Sequence, residues 1–235
     1  MIWVEEKNLL FIHNPKCAGS SISSALRQQF PAATTFWGRQ YVSRFDNILD
    51  LAHISVALSR DFVRHSDDLF SFGVVRNPYE RFRSAFSYLQ GGNPGLTGVT
   101  EEEFAFDFID EERIRFDWKF IHFCPQYRIL CINNKISVSK IIRMEDFSEA
   151  WPAFSESVGL APTLPLHNVG PKIDRSGMSD RLIARLNDLY ARDFEIFSYE
   201  KVPVEVQAPR GRIQSDYISL WPEYRGCDTS DQTRI

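Results

Sequence analysis

Two strand–turn–helix patterns, in residues 8–26 and 69–89, constrain the fold of this chain more than any other feature of its sequence. Each begins with a short apolar segment, passes through a turn that contains proline, and ends in apolar residues at helical spacing. Strands that alternate with helices are typical of α/β proteins with a mainly parallel sheet. The sequence therefore predicts an α/β fold with a mainly parallel central sheet flanked by helices.

The same alternation continues to about residue 200. Further predicted elements are a helix capped by Thr100, helices over residues 112–123, 146–158 and 179–192, and a strand over 136–144. A chain of 235 residues is long enough to bury one full core, and no linker-like segment divides it. We therefore expect a single domain over residues 1–202, followed by a tail over 203–235 that wraps the domain or is partly disordered.

Composition excludes several classes of protein. The chain has 27 Lys and Arg against 31 Asp and Glu, and the net charge of −4 argues against bulk electrostatic binding of nucleic acid. The apolar run at residues 9–12 is too short for a membrane span or a signal peptide, so we expect a cytoplasmic protein. Four cysteines do not make a disulfide scaffold.

The first turn, residues 16–21, is suited to an anion. Gly19 and its small neighbours let main-chain N–H groups approach a phosphate, the following helix adds its dipole, and Lys16 adds a charge. The turn is not a Walker A loop, because Lys16 precedes Gly19 and no Gly-Lys-Ser/Thr run follows. The alternative is an ordinary strand–helix turn with a surface lysine.

The second pattern offers another anion site. Arg76 follows the predicted strand, and Ser84 lies eight residues later on the predicted helix. The guanidinium can bind a phosphate through two hydrogen bonds, with the serine hydroxyl adding one more. The alternative is a surface ion pair and a solvated serine. Two anion sites at the strand ends of one sheet are suited to a ligand that carries two phosphate groups.

These two segments resemble a known family. Residues 13–21 are similar to the 5′-phosphosulfate loop of sulfotransferases, in particular the carbohydrate branch, and residues 74–86 resemble its 3′-phosphate motif. Further segments similar to Golgi glycan sulfotransferases of the chondroitin 4-O and HNK-1 type are residues 122–126, 143–147 and 193–199. Cys17 and Asn77 depart from the pattern, which usually has threonine and aspartate there.

The resemblance, which spans about residues 8–200, implies a P-loop-NTPase-like sulfotransferase fold. Because the sequence shows no N-terminal membrane anchor, we expect a soluble enzyme of bacterial type rather than a Golgi enzyme. It also implies transfer of a sulfuryl group from 3′-phosphoadenosine-5′-phosphosulfate (PAPS) to a hydroxyl of an acceptor, with a carbohydrate as the expected acceptor and no metal. The residues that it assigns to the donor are Lys16, Cys17, Ala18, Gly19, Ser20 and Ser21 on the 5′ side, Arg76 and Ser84 at the 3′-phosphate, and Lys172, or Arg175, in a late loop. Lys16 is expected to stabilise the negative charge that develops on the leaving phosphate.

A general base must accept the proton of the acceptor hydroxyl. His53 lies between the two nucleotide motifs, where the similar uronyl 2-O-sulfotransferases have a catalytic histidine, and imidazole titrates near neutrality. His13 is interpreted as structural, and His122 as either structural or acceptor-binding. Glu145 is a weaker candidate base, and Glu80 is expected to pair with an arginine.

Other interpretations remain open at this point. Trp37, Trp118 and Trp151 have the chemistry to stack on sugars, but core packing is the favoured prediction for each. A nucleotide-dependent phosphotransferase would need magnesium ligands and a Gly-Lys-Ser/Thr loop, which the sequence lacks. A non-catalytic relative that binds nucleotide or glycan is the other alternative. The acceptor itself and the oligomeric state do not follow from the sequence.

Overall fold

The structure is a computed structural model that describes residues 1–164 and 177–206. The strands are β1 (Ile2–Val4), β2 (Leu9–Phe11), β3 (Thr34–Thr35), β4 (Arg39–Val42), β5 (Asn47–Asp50), β6 (Phe70–Val75), β7 (Cys131–Ile132), β8 (Lys135–Ile136) and β9 (Lys140–Arg143). The helices are α1 (Gly19–Gln29), α2 (Pro78–Gly91), α3 (Glu101–Asp107), α4 (Glu111–Phe116), α5 (Gln126–Leu130), α6 (Phe147–Ser157), α7 (Asp180–Leu189) and α8 (Ala191–Ile196). The predictions for Lys172, Arg175 and the tail beyond residue 206 lie outside the described residues.

The central sheet has the strand order β3–β1–β2–β6–β9. Strands β2, β6 and β9 are parallel, with Leu9 opposite Phe70 and Val75 opposite Arg143. Strand β1 pairs antiparallel with both β2 and β3. The predicted α/β fold is confirmed. Its parallel strands form the centre, and the antiparallel edge was not predicted.

Several predicted elements differ from the observed ones at their boundaries. The helix predicted over residues 112–123 is divided, because Asp117 has extended backbone (φ −91°, ψ 113°) between α4 and a 3₁₀ segment, Trp118–Phe123. The Asp117 side chain accepts a hydrogen bond from the main-chain N–H of Lys119 and so caps that second segment. The predicted strand over 136–144 is similarly divided between β8 and β9. The capping box of Thr100 and Glu103 is confirmed.

Apolar residues cover both faces of the sheet. Phe72 and Val74 of β6 face α1 and α6, where Ile22 and Trp151 are buried against them. The opposite face carries a second cluster that includes Leu130. A side chain at position 73 would lie 2.4 Å from the Leu130 side chain, so Gly73 is what allows α5 to pack this closely on the strand.

A third apolar cluster lies among the helices that follow the second pattern. It joins Phe82 and Phe86 of α2 to Phe104 of α3 and Leu186 of α7, all of them buried. Each such side chain contributes about 1.5–3 kcal/mol through removal from water. This cluster fixes α2 at its buried face and leaves the opposite face of the helix toward the sheet edge. Within residues 1–164 and 177–206, no helix combines the length and the apolar character that crossing a membrane requires.

Candidate active site

Three parallel strands end at one edge of the sheet, and the predicted site residues follow them. Because β2 and β6 are parallel neighbours, the turn after β2 and the turn after β6 lie side by side. The structure therefore brings Lys16 and Arg76 close enough for the guanidinium to lower the pKa of the lysine. The turn after β9 lies beside them and carries Glu145.

The turn at residues 15–19 has the backbone of an anion site. Lys16 (φ 65°) and Ala18 (φ 56°) both adopt left-handed conformations, which cost about 1–2 kcal/mol each for residues other than glycine. Ala18 is the N-cap of α1 and forms no side-chain cap, and the first turn of α1 has no acidic residue. Main-chain N–H groups at a helix start that lack a capping side chain are suited to an anionic ligand.

Gly19 meets a packing constraint that the sequence does not reveal. A Cβ at this position would lie 1.7 Å from Nε2 of His13, so the imidazole ring of His13 excludes any side chain there. The glycine is thus required by packing inside the protein. This requirement comes in addition to the approach of a phosphate, for which the sequence predicts Gly19.

Lys16 lies partly buried at the mouth of this turn. Its Nζ is 4.1 Å from the centre of the Tyr88 ring. Burial, together with the nearby charge of Arg76, lowers the pKa of Lys16 to about 8. The Lys16 amine is therefore largely protonated at neutral pH. An anion bound nearby would raise this pKa and stabilise the ammonium form.

Cys17 points into the protein. Its thiol accepts a hydrogen bond from Asn14 Nδ2 at 3.3 Å and lies 3.6 Å from Gln126 Oε1. Burial raises its pKa to about 12, so the thiol stays neutral. The Cys17 side chain is therefore occupied by contacts within the protein, which leaves its main chain for a ligand.

Arg76, Glu80, Ser84 and Tyr88 follow one another at a spacing of four residues along the start and one face of α2. Arg76 Nε lies 3.5 Å from Glu80 Oε2, which agrees with the expected pairing of Glu80 with an arginine. That Nε is buried and has no hydrogen bond among the described residues. Ser84 is half-buried on the same face. The face thus presents the two residues predicted to bind a 3′-phosphate.

Gln126 joins the two turns and was not predicted as a site residue. Its side chain accepts a hydrogen bond from the main-chain N–H of Arg76 at 2.9 Å and donates one to the Arg76 carbonyl at 2.8 Å. The same Oε1 accepts from Asn14 Nδ2 at 2.9 Å. Asp193 in turn accepts from the main-chain N–H groups of Gln126 and Tyr127. The two turns are therefore held at a fixed separation by a fully buried amide.

Two further side chains fix the start of α2. Asn77 Oδ1 accepts from the main-chain N–H of Tyr79, and so caps the helix as the commoner aspartate would. Glu145 accepts from the main-chain N–H of Asn77 at 2.6 Å and from the Tyr199 hydroxyl at 2.8 Å. These contacts disfavour Glu145 as a base. They also give a structural reason for the similarity of residues 143–147 and 193–199 to the family.

His53 is the centre of a cluster of three histidines, in which His13 and His53 are buried and His122 is partly exposed. Its Nδ1 is 2.9 Å from the carbonyl oxygen of His13, which can only accept, so Nδ1 carries the proton and Nε2 keeps its lone pair. The ring of His53 lies 4.5 Å from that of His13 and 5.3 Å from that of His122, between centroids. All three were singled out in the sequence, but their contact was not predicted.

Burial keeps all three imidazoles neutral. It lowers the pKa values of His13 and His122 well below the usual 6.5, and the mutual proximity of the rings adds to this effect. It also lowers the pKa of His53, although Asp50 and the His13 carbonyl oppose the shift. A neutral imidazole with an available Nε2 is the form that a general base requires.

A cavity of about 210 Å³ lies against His53, between the segments 47–58 and 114–129. Aromatic side chains surround this side of the site. Trp37 is 59% exposed, with its ring 6.5 Å from that of His13, so the prediction that it packs in the core is wrong. Trp118 lines the cavity under the Arg39 guanidinium. Trp151 is buried, as predicted.

A parallel sheet edge with a lysine turn before one helix and an arginine before the next is typical of α/β proteins that bind phosphate groups. A model of the sulfotransferase family matches residues 1–200, and the chain belongs to that family. Membership implies transfer of a sulfuryl group from PAPS to an acceptor, and it favours this reaction over phosphoryl transfer. No curated protein and no solved structure matches the chain.

The residues present fit this donor. The uncapped start of α1 and Lys16 are suited to one anionic group. Arg76 is suited to a second, since its Nε forms an ion pair with Glu80 but no hydrogen bond among the described residues. In the described part of the chain, no three His, Cys, Asp or Glu side chains are arranged as a metal site.

Proposed function

We propose that this protein is a PAPS-dependent O-sulfotransferase that acts on a carbohydrate hydroxyl, with His53 as the general base. The observation that carries the proposal is the hydrogen bond between His53 Nδ1 and the His13 carbonyl, which leaves Nε2 to accept a proton beside the cavity. The family match supports the donor and the reaction type. The assignment of the base and of the acceptor is our inference.

The two strand-end turns divide the donor between them. The start of α1 and Lys16 bind the 5′-phosphosulfate end, and Arg76 with Ser84 binds the 3′-phosphate. ATP lacks that second phosphate on its ribose, so Arg76 is the residue that distinguishes the two nucleotides. The buried contacts of Gln126 with both turns support a fixed distance between these subsites.

The chemistry requires one proton transfer and the neutralisation of one charge. His53 Nε2 accepts the proton as the acceptor oxygen attacks the sulfur. Lys16 stabilises the negative charge that remains on the phosphate oxygen when its bond to sulfur breaks. The products are the sulfated acceptor, 3′,5′-adenosine bisphosphate and an imidazolium that returns its proton to water.

A carbohydrate acceptor is supported by the side of the site opposite the donor turns. The exposed ring of Trp37 is suited to the apolar face of a sugar ring. The cavity of about 210 Å³, which Trp118 lines beneath the Arg39 guanidinium, is large enough for part of a glycan. We assign the acceptor hydroxyl to the space between these rings and His53.

Calorimetric titration with 3′,5′-adenosine bisphosphate and with ATP–magnesium, in parallel, tests the donor. We expect clear preference for the bisphosphate, and preference for ATP–magnesium would overturn the proposal. Transfer of ³⁵S from labelled PAPS to a panel of glycans, phenols and steroid alcohols then tests the acceptor. Binding of the bisphosphate without transfer to any of them would favour a non-catalytic relative, and transfer to the phenols alone would refute a carbohydrate acceptor.

A further inference from the structure

Tyr88 occupies a position in the site that the proposed function does not account for. It lies on the face of α2 that also carries Glu80 and Ser84, one turn beyond Ser84. Its side chain is 59% exposed, although tyrosine is a large and partly apolar residue. An aromatic ring in contact with a cationic side chain of a candidate binding site is a candidate for a functional role.

The ring of Tyr88 contacts Lys16 and His122. The Lys16 ammonium lies 4.1 Å from its centroid, well within the range of a cation–π interaction. The His122 ring lies 5.0 Å from the same centroid and meets it edge to face, with an interplanar angle of 67°. His122 in turn contacts His53. Tyr88 therefore lies between the lysine of the donor loop and the histidine cluster.

The surroundings of Lys16 otherwise disfavour its positive charge. Burial and the charge of Arg76 both lower the pKa of Lys16 and so disfavour its ammonium form. A Cys17 thiolate would favour the ammonium, but burial keeps that thiol neutral. His13, His53 and His122 also feel the Lys16 charge, and they are kept neutral by burial. The electron-rich face of the Tyr88 ring is thus an attractive contact in an environment that otherwise repels the charge.

We propose that Tyr88 is a positioning residue whose ring face holds the Lys16 ammonium between Arg76 and the histidine cluster before the donor binds. The inference rests on the proposed function, because it assigns Lys16 to the charge on the leaving phosphate. The hydroxyl of Tyr88 has no part in it, so phenylalanine retains the role and leucine loses it. A cation–π contact of this kind changes a rate by about 3- to 30-fold.

The position of the ammonium is tested by NMR of protein labelled with ¹³C-lysine, with the Lys16 signal assigned from Lys16→Arg. We expect an upfield ring-current shift of the Lys16 Cε protons in the wild-type protein and in Tyr88→Phe, and its loss in Tyr88→Leu. Ser87→Ala, at an exposed neighbouring position of α2, serves as the control. Absence of the shift in the wild-type protein would overturn the proposal.

Kinetics test the consequence. We expect Tyr88→Leu to lower kcat by about 3- to 30-fold with affinity for the bisphosphate changed by less than about twofold, while Tyr88→Phe retains the wild-type rate. A Phe variant as slow as the Leu variant, or a Leu variant altered only in acceptor KM, would refute the positioning role. Failure of the wild-type protein to transfer sulfuryl would refute the proposed function instead, and the NMR shift would still decide where the ammonium lies.

Discussion

The two sides of this site are built in different ways. On the donor side, the turns after β2 and β6 are tied together by buried hydrogen bonds from Gln126 and Glu145. On the acceptor side, Trp37 is largely exposed, and the cavity lies between irregular segments. The donor side is thus fixed by buried hydrogen bonds, which cost several kcal/mol to disturb. On the acceptor side, the exposed ring of Trp37 can change with little effect on the fold.

His53 lies where the two sides meet, and its replacement should have the largest effect. We expect His53→Gln to lower kcat by about 10²- to 10⁴-fold while the affinity for 3′,5′-adenosine bisphosphate stays within about threefold, because our proposal places this residue beside the acceptor and away from the nucleotide. His65→Gln, a histidine outside the cluster, is the matched control. Full turnover in His53→Gln would remove this residue from the role of base.

The pH profile sharpens the same test. Because burial lowers the pKa of His53, the imidazole is neutral above that value and becomes protonated only below it. Activity that depends on neutral His53 should therefore be retained as the pH falls through 6.5, and it should decline at lower pH. A decline already centred above pH 7 would contradict the assignment.

Within the donor side, replacement of Lys16 should mainly lower kcat, whereas replacement of Arg76 should mainly weaken nucleotide binding. We expect Lys16→Ala to lower kcat by about 10²- to 10³-fold and to affect bisphosphate affinity much less, because its contact strengthens as the leaving group gains charge. Arg76→Ala should instead weaken bisphosphate binding by about 10- to 150-fold, the worth of charged hydrogen bonds. Lys135→Ala, exposed and distant in sequence, is the control. Equal losses of binding alone in both variants would contradict this division.

Gln126 tests whether the donor side is as rigid as its hydrogen bonds indicate. Gln126→Leu leaves the Arg76 main-chain groups and Asn14 Nδ2 without this partner, so we expect the free energy of unfolding to fall by about 3 kcal/mol or more. Ile129→Val, a buried change on the same helix α5, should cost about 0.5–1.5 kcal/mol. Urea denaturation compares the two. Similar losses would mean that the amide contributes no more than ordinary packing.

Trp37 should have the smallest effect and should act on the acceptor alone. We expect Trp37→Ala to raise acceptor KM by about 3- to 10-fold and to leave bisphosphate binding and the thermal unfolding temperature unchanged, because the side chain is mostly exposed. The same change at the buried Trp151 should unfold or strongly destabilise the protein. A Trp37→Ala variant with lower stability and normal acceptor KM would return this residue to a structural role.

The donor side was largely predictable because its elements are encoded locally. The strand, turn and helix around Lys16, and those around Arg76, each lie within about 20 consecutive residues. The contacts that join them were not predictable, since Gln126 lies 112 residues from Asn14 and 50 from Arg76. An isolated glutamine that follows a proline carries no periodic signal, and only its complete burial reveals its role.

The acceptor side was less predictable for a different reason. Trp37 precedes the hairpin of β4 and β5, whose short strands are half-exposed and show little apolar alternation. Asp117 divides what reads as one helix, because its side chain caps the segment after it. The sequence indicates each histidine of the cluster as a separate candidate. Their contact is not predictable from it, because the three rings come from distant segments that meet only in the folded protein.

The fit between His13 and Gly19 couples two positions of the chain through packing. As long as an imidazole fills the space above the start of α1, position 19 tolerates only glycine. A smaller residue at position 13 would release that restriction and would also change the surroundings of the carbonyl that orients His53. Substitutions at these two sites should therefore be interdependent, and a side chain at position 19 that destabilises the fold alone should be accommodated once position 13 carries a smaller residue.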